Sequence, residues 1–64
     1  MEYIDLLDHY LDMTVEFAFE GCGREQIGCV LLEEIDKAHR RGAISCEMAD
    51  ALYANSEIAY YLSA

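Results

Sequence analysis

Cysteine and histidine are the residues of this chain that could hold a metal or act as nucleophiles, and their spacing supports neither role. The chain has three cysteines, Cys22, Cys29 and Cys46, and two histidines, His9 and His39. No Cys-x-x-Cys pair and no ligand spacing typical of zinc occurs. An odd number of cysteines is also unusual for a secreted disulfide framework. We therefore predict three reduced thiols and no metal, with an intermolecular disulfide through Cys22 or Cys29 as the alternative.

Other catalytic signatures are also missing. The sequence contains neither a phosphate-binding loop nor the glycine fingerprint of dinucleotide-binding folds. Cys22 lies between two glycines and is expected in a plain turn, His9 on a solvated surface, and His39 at the edge of a packed stripe. The sequence thus predicts a protein that is not an enzyme and has no cofactor.

Carboxylates are the functional groups that dominate the chain. It has 13 acidic and 4 basic residues and a net charge of −9, and no basic residue precedes Arg24. Placed at about 100° per residue on a helix, five acidic residues fall on one arc. They are Asp5, Asp8, Asp12, Glu16 and Glu20. The last four repeat every four residues, or about 6 Å, a spacing loosely like that of phosphates along one nucleic-acid strand. Both a solvated face and a recognition face for a basic partner are consistent with this arc.

A second acidic and aromatic group lies near the end of the chain. Tyrosine is enriched at protein interfaces, where its ring packs and its hydroxyl forms hydrogen bonds. The residues of this group that we expect to contact a partner are Asp50, Tyr53, Glu57 and Tyr60. The alternative is that the rings simply cover a small core.

The bulk composition limits the possible partners and compartments. A charge of −9 over 64 residues repels nucleic acid and anionic membranes and attracts basic surfaces. No uncharged run exceeds seven residues, far below the roughly 20 that a membrane helix needs. Acidic residues also interrupt the N-terminal segment where a secretory signal would lie. We expect a cytoplasmic protein that binds neither nucleic acid nor membrane directly.

Glycines divide the chain into three segments of helical length within one domain, residues 1–64. The segments predict helix 1 from about Tyr3 to Phe19, helix 2 from Arg24 to Arg41, and helix 3 from Cys46 to Leu62. Gly21 and Gly42 are expected just after the first two helices, where a left-handed conformation is easy for glycine. Short connections favour antiparallel neighbours. The expected fold is all-α: a small three-helix bundle, either up-down or with helix 3 crossing a hairpin of the other two.

Each predicted helix has an apolar stripe that should face the core. On helix 1 the stripe is Ile4, Leu7, Leu11, Val15 and Ala18, widened by Tyr3, Leu6, Tyr10, Thr14 and Phe17. On helix 2 it is Ile27, Leu31, Ile35 and Ala38, flanked by Val30 and Leu32. On helix 3 it is Met48, Ala51, Leu52, Ile58, Ala59 and Leu62. Asn55 falls on the same face of helix 3 and would need hydrogen-bond partners if buried.

In size, acidity, helical pattern and lack of catalytic residues, the whole chain resembles small phage-type inhibitors. These are the anti-CRISPR and anti-restriction proteins, some of which imitate DNA and which share no sequence motif. The resemblance implies an inhibitor that occupies the basic nucleic-acid-binding surface of a protein target. The alternative is a helical interaction module (an adaptor, antitoxin-like or regulatory protein, monomeric or homodimeric) that buries apolar side chains of helix 3 in a partner. The two differ in salt dependence, because salt screens exposed charges and hardly affects apolar contacts.

Overall fold

The computed structural model describes residues 2–63 and contains four α-helices. They are α1 (Tyr3–Phe19), α2 (Arg24–Arg40), α3 (Cys46–Ala54) and α4 (Ser56–Leu62), and no strand occurs among the described residues. The all-α class is confirmed, whereas the predicted number of three helices is wrong. None of these helices is both long and apolar enough to cross a membrane.

Two glycines end the first two helices as the sequence predicts. Gly21 and Gly42 have positive φ angles of 91° and 76°. After α1, the backbone N–H of Cys22 donates to the carbonyl of Phe17 at 3.0 Å, and that of Gly21 donates to Ala18 at 3.1 Å. The same two bonds follow α2. This paired arrangement satisfies carbonyls that a helix end leaves free, and it turns the chain sharply. The bounds of α1 and α2 therefore agree with prediction to within one residue.

The predicted third helix is interrupted at Asn55, which corrects the expectation of one helix from Cys46 to Leu62. Asn55 has extended backbone angles and serves as the N-cap of α4. Its side-chain oxygen accepts hydrogen bonds from the backbone N–H groups of Glu57 at 3.0 Å and Ile58 at 3.3 Å. Its side-chain nitrogen donates to the hydroxyl of Tyr3 at 3.3 Å. Asparagine is a strong N-cap, and here it starts a new helix instead of continuing the previous one.

The core is built around α2, which packs against all the other helices and most extensively against α4. The four residues of its predicted inner stripe are buried, whereas the predicted flanking residue Leu32 is 51% exposed. Most of the buried core is apolar: Leu6, Tyr10, Ile27, Leu31, Ile35, Ala38, Ile44, Ala49, Leu52 and Ile58. The predicted helix 3 stripe is partly wrong, because Ala51 is exposed and Ala49 is buried in its place. The break at Asn55 gives α4 its own orientation, so one periodic stripe cannot describe both helices.

The face that α1 turns to the core lies among the residues predicted to widen its apolar stripe, and not at the centre of that stripe. Its buried residues are Leu6, Tyr10 and Thr14, whereas Ile4 and Val15 from the predicted stripe are 66% and 53% exposed. Apolar residues occupy more of the circumference of α1 than one core-facing stripe can use. The side that is turned inward carries aromatic rings, which bury more surface than aliphatic side chains do. The face with Ile4 and Val15 therefore remains outside.

Two contacts fix α4 against α2. The backbone of α4 lies so close to Gly28 that a Cβ there would collide with the carbonyl oxygen of Tyr61 and lie 3.0 Å from its carbonyl carbon. Nearby, the Arg24 side chain donates from Nε to the carbonyl of Tyr60 at 2.8 Å and from its terminal nitrogen to the Ser63 hydroxyl at 3.1 Å. A cation at the C-terminal end of a helix is favourable for the helix dipole.

Candidate protein-binding surface

The acidic arc is the set of five carboxylates that the sequence places on one side of the first helix: four on α1 and one on its C-cap residue, Glu20. All of them are exposed: Asp5, Asp8, Asp12, Glu16 and Glu20. Within residues 2–63 the ion pair found is between Arg40 and Asp36, and none of the arc carboxylates takes part in one. The arc is therefore a row of solvated negative charge without a neutralising side chain in the described part of the chain.

The basic side chains lie on or beside α2. Arg24 is held by the C-terminal end of α4, with its guanidinium carbon 3.9 Å from the centre of the Tyr60 ring. Arg40 pairs with Asp36. An open cleft of about 300 Å³ is lined by Glu33, Lys37, Arg40 and Arg41. The charges of the molecule are thus separated, with acids alone on α1 and mixed signs on α2.

An apolar ridge runs along α1 next to the acidic arc. We give this name to the exposed residues Ile4, Val15, Ala18 and Phe19. Phe19 is 88% exposed, and Val15, Ala18 and Phe19 together form an open, nearly flat apolar patch. Glu16 lies three residues before Phe19 and Asp12 three residues before Val15, so the ridge and the arc are neighbours along the helix surface. Sequence reasoning missed the ridge because it assigned most of these residues to the core.

The second predicted group is divided between two helices. Asp50 and Tyr53 lie on α3, and Glu57 and Tyr60 lie on α4. Tyr53 is half-buried, and its pKa is raised by burial and by the neighbouring carboxylates of Asp36 and Asp50.

Both carboxylates of this second group, Asp50 and Glu57, are exposed. Tyr60 is 54% exposed, but its ring is already engaged by the Arg24 guanidinium. Because the chain changes direction at Asn55, the four residues do not share one side of a continuous helix.

The thiols and imidazoles form one contact that the sequence did not predict. The Nε2 atom of His39 lies 3.1 Å from the sulfur of Cys46, across the Gly42 turn. The sign that could have predicted it is the tight glycine turn, which returns the start of α3 to the end of α2. None of the three cysteines, Cys22, Cys29 and Cys46, forms a disulfide within the chain.

Other possible chemistry is sparse. Among residues 2–63, no three Cys, His, Asp or Glu residues lie where they could hold a metal ion. His9 is exposed, with its ring 5.1 Å from that of Tyr10 in an edge-on arrangement.

Comparison with known proteins identified no relatives. No protein-family model matches the chain, and no curated protein or solved structure is significantly similar to it.

Proposed function

We propose that this protein is a small acidic inhibitor of the DNA-mimic, anti-CRISPR-like type, which binds the basic nucleic-acid-binding surface of a protein target. The observation that carries the proposal is the acidic arc: five exposed carboxylates on one side of one helix, without an ion pair in residues 2–63. Like charges at this spacing weaken a helix, so the arc has a cost in stability that a purely solvated face avoids by mixing signs. The surface of α2 does mix them.

Binding of this kind rests on many modest charge contacts. Each carboxylate meets a lysine or arginine that otherwise contacts a phosphate, and the target's own nucleic acid competes for the same side chains. The summed field of the arc steers encounter with a basic surface, so association is fast and falls as salt is added. The target is expected in the cytoplasm, and the inhibitor itself binds no nucleic acid.

A helical interaction module is the second candidate. The sequence predicts that such a module inserts apolar side chains of the helix 3 region into a partner, but Leu52 and Ile58 are completely buried within this chain. The observation that favours a module is instead the apolar ridge on α1, where Phe19 is 88% exposed.

The first test reverses two charges of the arc. Asp8→Lys with Asp12→Lys should weaken target binding at low salt by about tenfold or more, because two attractions become repulsions. Both residues are exposed, so α1 should remain folded. The measurement uses a protein captured from a bacterial lysate at low salt, eluted with a salt gradient and identified by mass spectrometry. Its binding to wild type and variant is then compared at low and moderate salt.

The control is Glu33→Lys with Glu34→Lys, which changes the net charge equally but on exposed positions of α2. It should retain most of the binding, and DNA or RNA should displace the wild-type protein from its target. If the arc variant binds as well as wild type at both salts, the arc is only a solvated face. If both variants lose binding equally, net charge and not the arc determines the interaction.

A further inference from the structure

The apolar ridge of α1 predicts a second property of the target's binding surface, in addition to its basic charge. We propose that the ridge inserts into an apolar groove of the same basic target, whose rim carries the lysines and arginines that meet the acidic arc. This inference rests on the proposed function and specifies the class of partner surface.

The ridge is large for a chain of this size. Ile4, Val15 and Phe19 are each more than half exposed, and they span nearly the whole helix, about 22 Å at the helical rise. Leu7 and Leu11 lie half-buried and pack against the core. Apolar side chains therefore extend from the core around α1 to the edge of the arc. Scattered exposed apolar residues need no explanation, but a continuous strip on one helix is typical of a helix that binds in a groove.

Charge decides which occupant fits this strip. Asp12 lies three residues before Val15 and Glu16 three residues before Phe19, which makes them neighbours on the helix surface, so whatever covers the ridge also faces carboxylates. A second copy that docked through the same face would bring an equally acidic α1, and this helix carries no lysine or arginine to neutralise the arc. An anionic membrane would repel it. A groove with an apolar floor and a basic rim complements both halves of the surface.

The two halves then contribute to different steps of binding. The arc acts at long range and raises the association rate, which falls with added salt. The ridge acts only after contact, since burial of apolar surface is short-ranged and hardly depends on moderate salt. Loss of the ridge should therefore appear mainly as faster dissociation.

The test uses two synthetic helical peptides as defined probes. One is amphipathic, with leucines on one side and lysines on the other; the second keeps the lysines and replaces every leucine by glutamine, which also favours helix. The protein variant Val15→Ser with Phe19→Ser removes the two large side chains at the C-terminal end of the ridge at little cost in helix propensity, and Ile4 and Ala18 remain. Leu32→Ser is the control, because Leu32 is 51% exposed, nearly the same as Val15, but lies on α2.

At moderate salt, wild type should bind the leucine–lysine peptide about tenfold or more tightly than the glutamine–lysine peptide. The ridge variant should lose that difference while its weak binding to the glutamine–lysine peptide stays unchanged. Leu32→Ser should behave as wild type. The Asp8→Lys, Asp12→Lys variant should lose binding to both peptides, which is the result that tests the arc separately.

Three outcomes would overturn the inference. If the ridge variant keeps the preference for the leucine–lysine peptide, or if Leu32→Ser loses it equally, the ridge is not the docking site. If sedimentation shows a wild-type dimer that the ridge variant abolishes, a second copy covers the ridge. An unaffected Asp8→Lys, Asp12→Lys variant would instead contradict the proposed function and leave the ridge result to stand by itself.

Discussion

Single side chains determine where the chain changes direction, and Asn55 does so between α3 and α4. Its side-chain oxygen caps α4, and its side-chain nitrogen donates a hydrogen bond to the hydroxyl of Tyr3 near the start of α1. One side chain therefore sets the direction of the last helix and ties it to the first. Ser45, the N-cap of α3, makes one such bond, to the backbone N–H of Met48.

Removing the cap should destabilise the protein. We expect Asn55→Ala to lower the free energy of unfolding by about 1–2 kcal/mol, since an N-cap is typically worth about 1 kcal/mol and the bond to Tyr3 is lost as well. Asn55→Asp keeps the capping oxygen and should recover most of the loss, and Tyr3→Phe isolates the remaining bond. Urea unfolding measures all three. An Asn55→Ala protein of unchanged stability would show that the break between α3 and α4 does not depend on this cap.

Tyr10 links stability to alkaline pH. Burial, aided by the Glu34 carboxylate, raises the pKa of this hydroxyl above its ordinary value of 10.0, against an opposing effect of Arg41. The folded protein therefore holds the proton longer than the unfolded chain does. The resulting stability is present below pH 10.0 and is lost as pH rises through the folded pKa.

Urea unfolding at neutral and at strongly alkaline pH should show this loss, and Tyr10→Phe should show less of it. Part of the loss should persist in the variant, because the pKa of Tyr53 is raised too. Equal losses in both proteins would mean that the Tyr10 hydroxyl ionises equally readily in the folded and unfolded states.

At the scale of elements, the packing of α4 on α2 depends on the missing side chain of Gly28. Glycine inside a helix costs about 1 kcal/mol relative to alanine, so its presence there needs a reason. The reason is the backbone of Tyr61, which occupies the space that a Cβ would take. The sequence contains four glycines, but a structural role could be predicted only for those that lie between the helical segments.

We expect Gly28→Ala to destabilise the protein by about 1 kcal/mol or more, because overpacking of about 1–3 kcal/mol outweighs the gain in helix propensity. The melting temperature should fall by roughly 4–8 °C for each kcal/mol in a domain of this size. Gly23→Ala is the comparison variant: a Cβ at this N-cap position of α2 would contact nothing within 4 Å, so any loss there reflects poorer capping by alanine and not overpacking. A Gly28→Ala protein that melts at or above the wild-type temperature would show that α4 can move aside.

For the whole molecule, the sequence predicted the helical class, two helices and the buried stripe of α2, because caps, glycines and periodicity agree there. It failed at Asn55 because a periodic pattern ran through a residue whose capping ability was the better signal. It failed on α1 because the apolar sector is wider than the core needs, and the core-facing side depends on how the other helices pack. The acidic arc was predictable as exposed, but the ridge beside it was not.

The attachment of α1 has a consequence for its dynamics. Three of its 17 residues are buried, against five of 17 in α2, so few contacts oppose its detachment from the remaining helices. Local opening of such a segment costs less than global unfolding, and its amide hydrogens should exchange fastest among the long helices. A target that binds α1 would reduce this local opening and slow the hydrogen exchange of those amides. A substitution in the core such as Leu6→Ala would then lower the apparent affinity for the target. The substituted side chain does not contact the target, but its loss increases the fraction of time that α1 spends detached.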